Sequence, residues 1–299
     1  MNAIPSCAAC RNQNGLVTLA GADSARAELC SCLSPCPRCK GAGEALEVDA
    51  DGYKVWRRCP ICSSARKNLR FFNEASLPPR YHGAQVNNYR NLGGNQGELK
   101  DMMRHYVMGF KKEPRGILLI GKPGVGKTHL LCALIRVFTL RDGLPCRFIE
   151  FTRLLSRIKA GYSAGRSEEQ IIGQLARVPI LAIDDMGKGV GSDWEMTILD
   201  ALISRRYDAR RPVLVTTNYE LREPLNAGQS ARGTGFAPAA EPRPLTAGRT
   251  SRERNRAQRS RINESLEDRV GARVASRLGE MCDVRDIKGP DYRQMNFKG

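Results

Sequence analysis

Eight consecutive residues, Gly121-Lys122-Pro123-Gly124-Val125-Gly126-Lys127-Thr128, satisfy the pattern G-x-x-x-x-G-K-[ST] at every fixed position. The chemistry of such a stretch is the holding of a triphosphate. Main-chain N–H donors must come close to phosphate oxygens, which residues without side chains such as Gly124 and Gly126 permit, and the N-terminus of a following helix adds positive potential. Lys127 is then placed to reach the β- and γ-phosphates of ATP, and Thr128 to lend its hydroxyl to magnesium. An acid must complete the magnesium shell. Asp184 closes the apolar run Ile180-Leu181-Ala182-Ile183, the Walker B arrangement, and Asp185 beside it can orient an attacking water. A chance glycine-rich turn and a solvated strand end are the bland alternatives. The short apolar run Gly116 to Ile120 before the loop and the helical pattern from His129 to Phe138 after it argue against both.

A second chemistry is written in cysteines. Of eleven in the chain, eight fall in the first 62 residues, as close pairs. Cys36-x-x-Cys39 and Cys59-x-x-Cys62 stand nineteen residues apart, a spacing in which two tight turns present four thiolates to one tetrahedral zinc. Cys7-x-x-Cys10 and Cys30-x-Cys32 repeat the nineteen-residue gap with one tighter pair, which predicts a second zinc site. Spacing alone leaves open an exchange of partners between the two sets, and reduced, unliganded thiols remain the alternative. Cys36-Pro37-Arg38-Cys39-Lys40-Gly41-Ala42-Gly43 also resembles one C-x-x-C-x-G-x-G repeat of the DnaJ zinc domain, in a single copy. The segment is short and polar, so metal has to supply much of its stability.

The remaining elements follow from periodicity. Alternating strand and helix signals past the loop place strands at Cys146–Phe151, Val178–Asp185 and Pro212–Asn218, with an amphipathic helix from Glu195 to Ala209. Apolar residues recur at helical spacing over residues 263–281, and Cys282–Ile287 supplies a fifth strand. The expected fold is α/β: a P-loop NTPase core with a five-stranded parallel sheet, preceded by a small zinc-binding module. The expected division is residues 1–66 for the zinc module and 67–114 for a connector holding one helix near 98–112. Residues 115–299 form the ATPase domain, interrupted by a low-complexity, disordered basic insertion at about 222–262. That insertion ends in Arg249, Arg252, Arg254, Arg256, Arg259 and Arg261, a phosphate-binding arm or a solvated tail. The formal net charge is +17, which favours a polyanionic partner, nucleic acid first. No apolar run approaches the 18 or so residues that span a bilayer, and no signal core opens the chain, so a cytoplasmic location without membrane partners is expected.

With these motifs placed, together with Val215-Thr216-Thr217-Asn218, Arg273-Val274-Ala275-Ser276-Arg277-Leu278 and Gly289-Pro290-Asp291-Tyr292-Arg293, the chain resembles the DnaC/DnaI-like AAA+ ATPases. These are bacterial and phage helicase loaders related to the transposition ATPase IstB. The resemblance covers roughly residues 77–221 and 263–297, and the four-cysteine set upstream is similar to the zinc module with which some loaders contact the replicative helicase. It implies an ATPase with ATP, Mg2+ and Zn2+ as cofactors, and with the replicative helicase, single-stranded DNA and further copies of itself as partners. It also implies Asn218 as the sensor that positions the water, and Arg277 as an arginine finger reaching a neighbouring subunit, with Arg273 next in line and an ordinary helix-face ion pair as the alternative. Arg157 and Lys159, after the second strand, fall where loaders carry helices facing DNA. The Asp-Asp pair departs from the commoner Asp-Glu, and the arginine-rich insertion has no counterpart from which a role carries over. An IstB-like transposition helper and a non-hydrolysing zinc adaptor are the rival expectations.

Overall fold

The run Gly116 to Gly121 has no polar position that could face water, and it forms the central strand β5 (Gly116–Gly121), with Gly116 to Ile120 buried. The computed structural model describes residues 7, 10, 15–189, 192–222 and 264–295. Strand β5 lies between β8 (Val213–Thr217) and β9 (Cys282–Ile287). Beyond β8 come β7 (Ile180–Met186) and then β6 (Cys146–Glu150), and every pairing in this five-stranded sheet is parallel. The two-residue alternation of β5 turns Ile117 and Leu119 into one core and Leu118 and Ile120 into another, on opposite faces of the sheet.

One face is covered by α1 (Ser63–Ala75), α2 (Gln96–Gly109) and α3 (Lys127–Arg136), the last continuing as a wider helical turn over Val137–Arg141. The other face carries α4 (Phe151–Ser163), α5 (Glu168–Arg177), α6 (Asp193–Asp208), α7 (Leu266–Val270) and α8 (Ala272–Met281). Reciprocal caps start three of these helices, Ser167 with Gln170, Ser192 with Glu195 and Ser265 with Asp268, which satisfies N–H groups that would otherwise lack partners.

Two expectations change here. The helix expected over 263–281 is two helices, because Gly271 adopts φ 84° between them, a conformation that costs a residue without Cβ least. The connector, expected to hold one helix near 98–112, carries another before it, since the stretch after Cys62 forms α1. Its buried stripe is Ala65, Asn68, Phe72 and Ala75, small or polar except for one ring, so a count of large apolar residues passes over it. The arginine-rich arm at 249–261 lies outside the described residues.

Upstream, two antiparallel hairpins precede the sheet: β1 (Leu16–Ala20) with β2 (Ala25–Leu29), and β3 (Glu44–Val48) with β4 (Lys54–Arg58). The first is fused to the ATPase core. Leu16, Ala25 and Ala27 belong to the same buried cluster as Phe72 and Leu119, and the Ala25 N–H donates to Leu77 O at 2.7 Å. The Asn73 amide pairs with both main-chain groups of Ala27. Among the described residues, no helix is long and apolar enough to cross a membrane.

Helix α6 carries the largest fully buried side chain, Arg206. Its guanidinium donates to the carbonyls of Leu175, Ala176, Val178, Pro179 and Pro212, at 2.7 to 3.3 Å. It thereby satisfies the C-terminal carbonyls of α5 and the turns that launch β7 and β8. Burial brings its pKa down to about 9, still charged at neutral pH. Replacing it with Met is expected to cost about 3 kcal/mol or more, because the carbonyls of Leu175, Val178 and Pro179 lose a charged donor that Arg211, bound to Ala176 O, does not replace. Urea unfolding followed by circular dichroism checks this, and an unchanged midpoint would count against the role.

Candidate functional site

The loop after β5 turns sharply because Gly121, Gly124 and Gly126 take φ values of 153°, 84° and 93°. At Gly126 a Cβ would meet the Tyr89 ring at 2.6 Å, and at Gly124 it would overlap the Asp291 carboxyl, so neither position tolerates a side chain. Within this turn the Lys127 ammonium donates to Gly121 O at 2.7 Å, Lys122 O at 2.9 Å and Asn218 Oδ1 at 2.7 Å. Burial lowers its pKa to about 8, against the opposing pull of Asp185 and Asp184. The loop's Pro123 and Gly124 line the adjoining cleft, while Val125 is buried and accepts the Tyr89 hydroxyl at 2.7 Å.

Across from the loop, Asp184 lies buried near the C-terminal end of β7. It accepts hydrogen bonds from Thr128 Oγ1 at 3.0 Å and Thr216 Oγ1 at 2.6 Å. Burial raises its pKa to about 6, only partly offset by the Thr216 and Thr128 hydroxyls and reinforced by neighbouring Asp185. A buried carboxylate and a threonine hydroxyl 3.0 Å apart form a hard oxygen pair of the kind that holds magnesium beside phosphate. Asp185 sits at an irregularity in the β7–β8 pairing with φ 55°, a left-handed conformation that Asp accepts more readily than most residues. Its carboxylate is held by Lys188 Nζ at 3.1 Å.

Pro123, Gly124, Gly126, Lys127, Thr128, Asp185, Lys188 and Asn218 border one cleft of about 500 Å³, and Asp184 lies behind Thr128, to which it is hydrogen-bonded. The structure brings the phosphate loop, Asp185 and Asn218 together there, with Asp184 joined to them through Thr128. It also brings in residues to which sequence reading gave no role: Arg80 and Arg90 from the segment before α2, Lys188 after β7, and Arg293 at the C-terminal end. The C-terminal segment is tied down by Tyr292, whose N–H donates to Gly124 O at 3.0 Å and whose hydroxyl bonds Arg90 O. Nothing in their spacing marks these cations as neighbours. Arg80 and Arg293 are separated by most of the chain, and only the turn at Pro78-Pro79 and the Gly289-Pro290-Asp291-Tyr292-Arg293 ending offered a signal.

Arg277 lies elsewhere. It donates to Asp200 Oδ1 at 3.1 Å and to the Ser204 hydroxyl, and its guanidinium stands 5.5 Å from the Tyr207 ring centre, so within one chain it joins α8 to α6. Arg273 is 73% exposed and 3.5 Å from the same Asp200. On α4, Arg157 is exposed, while Lys159 reaches Glu195 at 3.8 Å and lies 5.2 Å from the Trp194 ring centre.

The cysteines resolve into two sets without exchange of partners. Cys7, Cys10, Cys30 and Cys32 form one, Cys36, Cys39, Cys59 and Cys62 the other, with the sulfurs of each set within 4.8 Å of one another. Sulfur separations of 3.5 Å (Cys39 to Cys62), 3.6 Å (Cys7 to Cys30) and 3.8 Å (Cys36 to Cys59) match the roughly 3.8 Å that tetrahedral zinc imposes with Zn–S bonds of about 2.3 Å. The Gly43 N–H donates to Cys39 Sγ at 3.3 Å, and Arg66 stands beside Cys62, so negative charge on the second set is met from the protein. Both donor sets fit zinc. Cys132, Cys146 and Cys282 are buried in the sheet cores and belong to neither.

Comparison with known proteins agrees with this architecture. Residues 60–227, more than half of the chain, match the family described as IstB-like ATP binding protein. The replicative helicase loader DnaC of Escherichia coli (strain K12) is 31% identical over 160 residues, which is 53% of this chain and 65% of that protein. The phage-like element PBSX protein XkdC of Bacillus subtilis (strain 168) is 26% identical over 211 residues, covering 67% of this chain and 77% of the relative. A crystal structure of the DnaC helicase loader superposes with a TM-score of 0.50 at 25% identity, over 70% of this chain and 99% of that one. With its P-loop fold and this span of matching sequence, the chain belongs to the IstB-like ATP binding proteins.

Proposed function

We propose that this protein is an ATP-dependent helicase loader of the DnaC kind, which binds single-stranded DNA and delivers a replicative helicase to it. The observation that carries the reading is the convergence of Lys127, Thr128, Asp185 and Asn218 on one basic cleft, with Asp184 hydrogen-bonded to Thr128 behind it, in a chain similar to DnaC loaders. Lys127 neutralises the β- and γ-phosphates, and the N–H groups of the glycine loop fix their position. Thr128 and Asp184 would hold magnesium, which when bound spreads charge between the phosphates. Asn218 and Asp185 orient the attacking water, and Arg80, Arg90 and Arg293 bring further positive charge to the same cleft. In an assembly of several copies, Arg277 exchanges its Asp200 partner for the γ-phosphate held by a neighbour. Arg157 and Lys159 on α4 contact the DNA backbone without reading sequence. The two cysteine sets hold zinc, giving a folded module with which to grip the helicase.

The family description also supports a transposition helper that delivers DNA to a transposase. ATP turnover stimulated by single-stranded DNA is expected of both. Recovery of a replicative helicase with the tagged protein from host extract supports the loader, and recovery of a transposase in its place overturns it.

The two shifted groups in the cleft set a pH window for nucleotide. Asp184 takes up a proton as pH falls through about 6, which removes the magnesium ligand, and Lys127 loses its proton as pH rises through about 8, which removes the phosphate partner. Magnesium-dependent binding of a fluorescent ATP analogue is therefore expected to be strongest between these values. Lys127→Ala should lose the alkaline limb and weaken binding about 10- to 150-fold, the usual worth of a hydrogen bond to a charged group. A flat profile would contradict both assignments.

Arg277→Ala is expected to bind ATP normally but turn it over poorly. Mixing it with Asp184→Asn should restore part of the activity, since one interface then combines an intact finger with an intact magnesium site. No recovery in a mixture shown to co-assemble removes the finger from Arg277.

Elemental analysis after anaerobic purification should find two zinc ions per chain. Cys39→Ser should lose one of them, and a protein free of zinc would refute the metal assignment.

A further inference from the structure

The second hairpin presents a surface that the nucleotide cleft and the cysteine sets leave unused. The register of β3 and β4 sets Leu46 opposite Trp56, Val48 opposite Lys54 and Glu44 opposite Arg58, all on one face. That face is open: Leu46 is 46% exposed, Val48 66% and Trp56 68%, with Tyr53 at 70% beside the turn. A two-stranded hairpin needs none of these side chains for its own core, which consists of the four buried cysteines with Ile61 packed against them.

The charges around this face are arranged unevenly. Five of the six residues from Tyr53 to Arg58 are aromatic or basic, and all five are exposed. Lys54, on the Trp56 face, stands opposite Val48 across the strands, so no acid opposes it in register. The acids of the hairpin are engaged locally: Glu47 pairs with Arg38 at 3.0 Å, and one Asp49 oxygen accepts the N–H groups of Asp51 and Tyr53, closing the turn. Glu44 stands opposite Arg58. Aromatic rings interleaved with uncompensated cations on an open strand are the two ingredients of sequence-tolerant binding to single strands. The rings stack on base faces and the cations follow the phosphates. The net charge of +17 draws such a polyanion toward the protein from a distance.

We propose that the exposed face of β4 is a binding site for single-stranded nucleic acid, in which Trp56 stacks on a base and Lys54, on the same face, contacts phosphate. The site is separate from the α4 helix and does not depend on ATP hydrolysis.

Trp194, beside Lys159 on the α4 side, and Trp56 are the two tryptophans of the chain. Each can therefore report alone. In full-length, zinc-loaded Trp194→Phe, titration with a 20-nucleotide dT oligonucleotide is expected to quench Trp56 emission saturably. Trp56→Ala should weaken binding of the labelled oligonucleotide about 5- to 150-fold, the range for loss of one stacked base, with zinc content and circular dichroism unchanged. Changing Lys54 to Ala should reduce the slope of log K against log salt by about 0.7, the worth of one phosphate contact. Trp56→Phe reads Trp194 in the same titration. If the oligonucleotide moves Trp194 emission and leaves Trp56 emission unmoved, DNA binding belongs to α4 and the hairpin proposal fails while the loader reading stands. Unchanged affinity in Trp56→Ala likewise overturns it.

Discussion

Three oxygens converge on the Lys127 ammonium, two from its own loop and one from Asn218 just beyond β8. A charge this deeply placed is tolerable only if its donors are satisfied, and that requirement fixes the sheet around it. Strand β8 must lie next to β5 for Asn218 to reach the loop, and β7 must follow β8 for Asp184 to meet Thr216 and Thr128. The order β6-β7-β8-β5-β9 is the topology that satisfies these contacts with parallel strands. Each functional side chain then falls at a strand's C-terminal edge, where open α/β sheets bind their ligands.

Much of this was legible before any coordinates. The loop announces itself because its backbone geometry demands glycine at fixed places, and Asp184 because an acid ending an apolar strand has few other reasons to be there. Strands β5, β7 and β8 were legible as largely apolar runs, since strands buried on both faces leave little room for polar residues, whereas the edge strands β6 and β9 interleave polar ones. The cysteine sets were legible through spacing, and the geometry adds what spacing left open, that Cys7, Cys10, Cys30 and Cys32 group with one another and not with the second set.

What stayed hidden shares one physical cause, contacts that join distant segments through groups of ordinary composition. Arg80, Arg90 and Arg293 reach the cleft from the two flanks of the ATPase, and no periodicity encodes that meeting. Helix α1 escaped because its buried stripe contains an asparagine and two alanines. The break at Gly271 escaped because the apolar repeat runs on across it while the backbone does not. Arg277 illustrates the reverse case. Its motif points to a neighbouring subunit, whereas within one chain its fork is occupied by Asp200 and Ser204, so any action across an interface requires that pairing to open.

Helix α1 begins immediately after Cys62, a zinc-spaced thiol, and extends about 20 Å at 1.5 Å per residue. Partway along it, the buried Asn68 amide donates to Leu140 O at 2.8 Å, in the turn that ends the α3 rod, and the first residue of that rod is Lys127. The two helices form a bent strut with a thiol pair at one tip and the Lys127 ammonium at the other. The second hairpin is thus tied to the segment bearing Lys127 by the Cys59–Cys62 turn, two helices and a buried side-chain hydrogen bond, a path with few joints.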